Sequence, residues 1–213
     1  MIVTAIRPHR RAADRVEIDV GSETFVVAPE FVVRAGLKSG DSLTTERRQA
    51  LESESAAVRA FDRGLLLLSH RARARTELAR RLTKIGFAPA AVDAALDRLG
   101  RLGYLDDAAF ARQFARGRVV GRGQSRHRIR SELVRKGVDR GTADDAIEET
   151  LASEDVDEGA IIERIAAKKL RSLAKLDAAT RRRRLYAFLA RRGFDTDDIR
   201  RVVDRAEAET SEE

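Results

Sequence analysis

The stretch TELARRLTKIGFAPAAVDAALDRLGRLGYLDDAAFARQF, residues 76–114, reads as three helices separated by glycine-containing turns. In the first helix Leu78, Leu82 and Ile85 share one face, as the 3.6-residue period of an amphipathic helix requires. Gly86 can end that helix in the left-handed conformation, and Phe87 can then fold back onto it. This pattern predicts one three-helix unit.

The second helix of the unit is predicted over residues 89–102, because Pro89 suits a first helical turn. Its apolar face consists of Val92, Ala95, Leu96 and Leu99. Gly103 ends the helix. The next segment supplies residues that we expect to pack in the core or to cap the third helix: Tyr104, Leu105, Asp106, Asp107, Phe110 and Phe114.

The pattern recurs when the chain is aligned on Gly86, Gly137 and Gly193. Apolar residues stand eight and four positions before each glycine, and one, six and ten positions after it: Leu78, Ile129 and Leu185; Leu82, Leu133 and Leu189; Phe87, Val138 and Phe194; Val92, Ala143 and Ile199; Leu96, Ile147 and Val203. The residue two before the glycine is always basic. A helical period of about fifty residues indicates stacked repeats.

The predicted fold is therefore mainly α, with three tandem three-helix repeats that form a curved, elongated solenoid. A small N-terminal domain precedes them, because Val16, Ile18 and Val20 alternate with polar residues and precede the turn Gly21-Ser22. Phe25 to Val27 would be the partner strand, and a short helix would follow from Pro29 to Gly36. The predicted domains are 1–53 for this hairpin region, 55–104, 105–153 and 156–207 for the repeats, and 208–213 for an acidic tail.

Three further expectations concern local structure. The first repeat is predicted to open with a helix from Ser55 to His70. The glycines of the segment before Ser125 predict a flexible, arginine-rich connector: Gly117, Gly121 and Gly123. A basic cluster near the N-terminus is interpreted as a floppy segment, with a nucleic-acid-binding arm as the alternative: Arg7, Arg10, Arg11 and Arg15.

Composition excludes several kinds of site. The chain has no Cys and three isolated His, so neither a Cys-based zinc site nor thiol chemistry is predicted. The start becomes charged before an apolar run forms, and LLLL at 65–68 is too short to span a bilayer. We expect a soluble cytoplasmic protein without a membrane partner.

The sequence offers little support for a catalytic site. The acid pairs Asp106–Asp107, Asp144–Asp145 and Asp197–Asp198 are expected at helix starts, where carboxylates cap free N–H groups. No phosphate-binding loop of the Walker type and no suggestive Ser-His-acid spacing is present. No catalytic, cofactor-binding or metal-binding residue is predicted, and the protein is not expected to be an enzyme.

Basic and acidic residues are distributed unevenly along the chain. Residues 71–140 contain 18 Lys/Arg and 7 Asp/Glu, whereas residues 141–163 contain nine acids and no Lys or Arg. A polyanion or an acidic protein surface is one interpretation, and solvated helix faces in an arginine-rich chain are the other. The candidate binding residues are Arg73, Arg75, Arg80, Arg81, Lys84, Arg116, Arg118, Arg122, Arg126, Arg128, Arg130, Arg135, Lys136, Arg191 and Arg192. Arg71 and Arg181 to Arg184 belong to the same basic clusters.

The chain closely resembles the RecX family of recombination regulators over Ala56 to Ala206. The resemblance is carried by Leu78 with Leu82, by Gly86-Phe87, by LGYLDD at 102–107 with Phe110-Ala111, by Arg122-Gly123, and by Ile129, Leu133 and Gly137. The motif positions are expected to hold the fold: Leu78, Leu82, Gly86, Phe87, Gly103, Tyr104, Leu105, Asp106, Asp107, Phe110, Leu133, Gly137 and Gly193.

The resemblance implies three three-helix repeats, no catalytic site, and binding to the RecA recombinase filament. It further implies modulation, usually inhibition, of RecA ATP hydrolysis, strand exchange and co-protease activity in recombinational repair and the SOS response. The arginine run before Leu185 and the acidic block 141–163 depart from the family pattern.

Two hypotheses follow. In the first, a basic concave surface contacts the filament, and charge reversal of Arg126, Arg128 and Arg130 weakens binding without unfolding. In the second, the protein is a non-specific DNA-binding protein in which the helix from Ser125 to Lys136 enters a groove. Weak, non-specific contact with single- or double-stranded DNA is expected in either case.

Overall fold

The structure is a computed structural model that describes residues 1–211, with side chains as far as Ala206. The described part of the chain forms three strands and ten helices: β1 (Val3–Pro8), β2 (Val16–Val20), β3 (Glu23–Val27), α1 (Pro29–Ala35), α2 (Thr45–His70), α3 (Arg75–Ile85), α4 (Pro89–Arg101), α5 (Asp107–Arg122), α6 (Arg126–Lys136), α7 (Arg140–Ser153), α8 (Glu158–Leu173), α9 (Ala178–Arg191) and α10 (Thr196–Ser211). The acidic tail predicted at 208–213 begins inside α10, and its last two residues lie outside the described part.

The chain divides into two units. Met1–Asp106 contains the sheet and helices α1 to α4, and the residues from Asp107 onward contain α5 to α10. The prediction of a mainly helical fold with a small N-terminal β region is confirmed.

The sheet of the first unit is antiparallel, with strand order β1-β2-β3. Val20 pairs with Glu23, so Gly21 and Ser22 form the predicted two-residue turn, and Gly21 has a φ of 61°. Positive φ is what this type of hairpin turn requires. Val3, Ile18 and Val27 are fully buried against α1 and the start of α2.

The prediction of a floppy N-terminal segment is wrong. Residues Val3–Pro8 form β1, which pairs with β2 from Val3 to Pro8 with one shift of register between Val3 and Ala5. Arg7 donates to Glu17 at 2.8 Å and also contacts Asp19. The segment is ordered because Val3 reaches the core while Arg7 pairs with carboxylates on the neighbouring strand.

Arg15 is a second correction to the interpretation of the N-terminal basic cluster, because it is only 5% exposed. Its guanidinium lies 5.5 Å from the centre of the Phe61 ring and donates to Asp62 at 3.0 Å. Arg98 also lies over the Phe61 ring, at 4.6 Å. Arg15 therefore joins the sheet region to α2 and α4 and is unavailable to a nucleic acid.

Helix α2 begins at Thr45 rather than at Ser55 as predicted. The Thr44 side chain accepts a hydrogen bond from the Arg47 N–H at 3.3 Å, which caps the helix. Leu51 then packs in the sheet core, whereas Phe61 packs with α3 and α4. One helix therefore contributes to both cores of the first unit.

The turns of the first repeat follow the prediction with one exception. Gly86 has a φ of 110°, and the Phe87 N–H donates to the Leu82 carbonyl at 3.3 Å. Leu105 is buried, but Tyr104 is 58% exposed, so its assignment to the core is wrong. Because Gly103 has a φ of 74°, the chain turns there and leaves the Tyr104 ring outside.

The second unit repeats the same burial pattern. The residues eight and four positions before Gly137 and Gly193 are at most 1% exposed, as are their counterparts before Gly86: Leu78, Leu82, Ile129, Leu133, Leu185 and Leu189. Asp139 caps α7, and the Asp195 carboxylate accepts from the Asp197 N–H at 2.9 Å, as predicted. The repeat alignment therefore corresponds to packing.

The predicted flexible connector before Ser125 is wrong for Gly117 and Gly121, which lie inside α5. Only Gly123 takes a positive φ, and it packs against Ile165 of α8. Ser125, 1% exposed, donates its hydroxyl to the Gly193 carbonyl at 2.6 Å and accepts from the Arg128 N–H at 3.2 Å. The segment is fixed because it joins the second repeat to the third.

Candidate binding surface

The predicted basic residues do not form one uniform surface. Some are engaged by carboxylates or aromatic rings within the chain, and others are exposed without a carboxylate partner among the described residues. This difference decides which of them could contact a partner.

One group forms an ion pair that recurs in all three repeats. The arginine eleven residues before the C-cap glycine contacts the carboxylate eleven residues after it: Arg75 with Asp97 at 2.5 Å, Arg126 with Glu148, and Arg182 with Asp204 at 2.8 Å. Each pair links the second helix of its repeat to the third. Arg75 and Arg126 therefore have intramolecular partners, which we did not anticipate, although the equal offsets were present in the sequence.

The second repeat contains further pairs. Arg116 contacts Glu154 at 2.8 Å, Arg128 contacts the buried Glu132 at 2.9 Å, and Arg130 contacts Asp144. Arg118 lies 3.1 Å from Glu132, and its guanidinium stands 4.5 Å from the Phe114 ring centre. Lys136 lies over the same ring at 5.6 Å.

These contacts engage four of the nine acids of the block 141–163. Asp144, Glu148, Glu149 and Glu154 all belong to it, and all contact arginines of α5 or α6. Asp144 lies one turn inside α7 and pairs with Arg130, so the prediction that it caps a helix start is wrong. The block supplies counter-charges within the second repeat.

Basic residues remain exposed on other helices. In α3, Arg73 contacts Glu77 at 2.6 Å, but Arg80, Arg81 and Lys84 are exposed and have no carboxylate partner among the described residues. The same holds for Arg122, Arg135 and Arg191. Lys84, Arg135 and Arg191 stand two before the three glycines, so this exposed charge recurs once in each repeat.

Arg192 differs from its exposed neighbour Arg191. Its guanidinium lies 4.5 Å from the Phe188 ring centre, and burial lowers its pKa from the ordinary value. Its carbonyl accepts from the Ser125 N–H at 3.1 Å. Arg192 therefore links the second and third repeats and has a structural role, unlike the exposed Arg191.

A set of basic residues on and just after α8 is missing from the predicted candidates. Arg164, Lys168 and Arg171 are exposed on α8 at i, i+4 and i+7, and the exposed Lys175 follows two residues after the helix ends. The spacing places the first three on one side of the helix, and helical periodicity applied to charges as well as to apolar residues identifies it.

Glu158 connects the two repeats of the second unit. Its Oε1 accepts from the Arg126 N–H at 3.0 Å, so a carboxylate of α8 caps the start of α6. Burial raises the pKa of Glu158 above its ordinary value of 4.5, and the hydrogen bond from Arg126 opposes that shift.

The raised pKa of Glu158 predicts an unusual pH dependence. The folded state holds the proton more tightly than the unfolded state, so the contribution of this group to stability is full below 4.5 and is lost as the pH rises through the folded pKa. As the pH rises through the folded-state pKa, we expect the free energy of unfolding of Glu158→Gln to increase relative to that of the wild type. Urea unfolding of both proteins at a series of pH values measures the difference, with the exposed Glu149→Gln as control. A difference that shrinks as pH rises would contradict the assignment.

The described residues contain no group of three or more His, Asp or Glu side chains that could hold a metal ion. No helix in the described part of the chain is both long and apolar enough to cross a membrane. Asp197 and Asp198 of the third acid pair contact Arg200 and Arg201.

Comparison with protein families gives a match for each repeat. Residues 60–99 match the model described as RecX, first three-helix domain; residues 106–147 match the second such domain, and residues 157–203 match the third. The three domains occur in the order that the glycine alignment predicts.

Full-length relatives agree. The chain is 37% identical over 147 residues to the regulatory protein RecX of Chlorobium phaeobacteroides, a match that covers 69% of this chain and 93% of that protein. It is 28% identical over 210 residues to the regulatory protein RecX of Clostridium botulinum, covering 96% and 95%. A crystal structure of a regulatory protein RecX has the same fold, with a TM-score of 0.74, 21% identity, and coverage of 95% and 98%.

Proposed function

Because the chain belongs to the RecX family of regulatory proteins, we propose that it binds the RecA recombinase filament and lowers its activity. The regulated activities would be ATP hydrolysis, strand exchange and co-protease function, in recombinational repair and the SOS response, in the cytoplasm. The observation that carries the proposal is the presence of all three RecX three-helix domains in order. The family is regulatory, which agrees with the prediction that the chain is not an enzyme.

The proposed contact surface consists of the predicted basic residues that are exposed and lack a carboxylate partner among the described residues: Arg80, Arg81, Lys84, Arg122, Arg135 and Arg191. Repetition supports this choice, because Lys84, Arg135 and Arg191 occupy the same place in successive repeats. A repeat protein that offers one charge per repeat can contact successive protomers of a filament, and weak contacts then add through avidity.

The triple reversal of Arg126, Arg128 and Arg130 is a poor test of this surface. Each of the three contacts a carboxylate within the chain, so reversal would place like charges together and disturb the fold. The better variant carries Lys84→Glu, Arg135→Glu and Arg191→Glu, whose side chains are exposed.

The test measures association with RecA filaments that have been assembled on labelled single-stranded DNA with a non-hydrolysable ATP analogue. We expect the triple variant to bind roughly tenfold or more weakly than the wild type, as the loss of three charge contacts implies. A control with Arg59→Glu, Arg63→Glu and Arg101→Glu carries the same net charge and should bind like the wild type. Equal binding by wild type and triple variant would exclude the proposed surface.

The second candidate function is non-specific DNA binding, which the uncompensated positive charge of the third repeat favours. It differs from the first in needing no recombinase. Tight binding to bare DNA, unchanged by RecA and steeply dependent on salt, would favour it. The engagement of Arg126, Arg128 and Arg130 within the chain argues against α6 as the groove-binding helix.

A further inference from the structure

Helix α8 carries three exposed basic side chains, Arg164, Lys168 and Arg171, and Lys175 follows two residues after the helix ends at Leu173; the four are here called the α8 row. The three on the helix lie on the side opposite the buried Ile162, Ala166 and Leu173. From Arg164 to Arg171 the row spans about 10 Å at a rise of 1.5 Å per residue. None of the four has a carboxylate partner among the described residues.

In the second repeat, the residue equivalent to one member of the row, Lys168, has a counter-charge within the chain. Arg112, which stands 25 residues before Gly137, contacts Glu149, which stands 12 residues after it, at 3.7 Å. The equivalent positions around Gly193 are Lys168 and Arg205, and both are basic. Arg205 instead contacts Glu163 at 2.7 Å, so it uses an acidic side chain of α8 itself. At this position the third repeat therefore lacks the counter-charge that the second repeat has.

The chain around the α8 row reinforces its charge. Residues 164–184 contain nine Lys/Arg, of which Arg182 is paired with Asp204, and a single acid, Asp177. Asp177 is occupied as the cap of α9, where it accepts from the Thr180 N–H at 2.9 Å. Arg183 and Arg184 are exposed at the start of α9. Such a concentration of like charge attracts a polyanion.

We propose that the α8 row is a binding site for the phosphate backbone of a nucleic acid. A linear row of cations matches a linear series of phosphates. The exposed residues between its members are small or polar, as with Ala167 and Ser172, whereas protein-binding surfaces centre on aromatic or other large apolar anchors. No exposed aromatic residue lies on α8, so the row contacts phosphates without stacking on bases, and binding is independent of sequence.

This inference deepens the DNA contact that accompanies the proposed function, and its test omits the recombinase so that the two can fail separately. The full chain is titrated against a fluorescently labelled oligonucleotide, single- or double-stranded, over a range of salt concentrations. The test variant carries Arg164→Gln, Lys168→Gln, Arg171→Gln and Lys175→Gln. The control carries Lys38→Gln, Arg59→Gln, Arg63→Gln and Arg101→Gln, which are also exposed and change the net charge equally.

We expect the test variant to bind roughly tenfold or more weakly at low salt, with a log–log salt slope shallower by about three to four. The control should retain the affinity and slope of the wild type. The circular dichroism spectrum of the test variant should match that of the wild type, which excludes a folding defect. The single variant Arg171→Gln should make the salt slope shallower by about one, as expected for one lost phosphate contact. Equal weakening of both quadruple variants, or no binding to DNA by the wild type, would overturn the site. Unchanged DNA affinity and salt slope in the test variant would likewise overturn the site.

Discussion

Replacing Leu133 by alanine should lower the free energy of unfolding of the second unit by about 2–5 kcal/mol. Leu133 is fully buried in α6, four residues before Gly137, and Leu82 and Leu189 occupy the same position in the other repeats. Truncation leaves a cavity that the surrounding helices close only in part. Urea unfolding, combined with hydrogen exchange to separate the two units, measures the loss.

The adjacent residue provides the control for Leu133→Ala. Val134 lies on the same helix but is 46% exposed, and Val134→Ala should change stability by no more than about 0.5 kcal/mol. A similar cost for the two substitutions would mean that the repeat alignment does not identify the core. Amides of the first unit should keep their protection in both variants, since Leu133 belongs to the second unit.

Gly193→Ala should destabilise the second unit by about 2–4 kcal/mol, from two additive causes. Gly193 has a φ of 85°, which costs a residue with a Cβ about 1–2 kcal/mol. An added Cβ would also stand 2.6 Å from the Arg128 Cβ and 2.9 Å from the Ser125 hydroxyl oxygen. The helices must then separate, which weakens the hydrogen bond from Ser125 to the Gly193 carbonyl.

Gly86→Ala is the matched control for this second cause. Gly86 ends the equivalent helix of the first repeat at a φ of 110°, but a Cβ there would have no atom within 4 Å. Its cost should be the strain alone, about 1–2 kcal/mol. If Gly86→Ala lowers the free energy of unfolding of the first unit as much as Gly193→Ala lowers that of the second, the close approach at Gly193 contributes nothing to the cost. Thermal or chemical unfolding followed by hydrogen exchange distinguishes the units.

The core of each repeat could be predicted from the sequence because burial follows the helical period. Leu78, Ile129 and Leu185 share one offset from a glycine, and all are buried. The glycine itself marks where the helix must end, since a positive φ is required there. Because these signals are local in the sequence, the sequence alone is sufficient to predict the core positions and the helix ends.

The charged surface could be predicted only in part, because an arginine side chain reaches partners that are distant in sequence. Arg126 contacts Glu148, and Arg116 contacts Glu154, across helices whose packing had to be known first. Strand β1 could not be predicted for the same reason. It is held by its pairing with β2 and by the contacts of Arg7, and its own short sequence indicates neither. Tyr104 was misplaced because its direction depends on the turn at Gly103.

The measurement that tests the proposed function most directly is ATP hydrolysis by RecA on single-stranded DNA, with this protein added at increasing substoichiometric ratios. Binding to the same DNA without RecA is measured beside it. We predict that hydrolysis falls well before one copy per recombinase is reached, as expected for a regulator that contacts several protomers of a filament. Hydrolysis that stays constant while the protein binds bare DNA tightly would contradict regulation of RecA and favour the DNA-binding function.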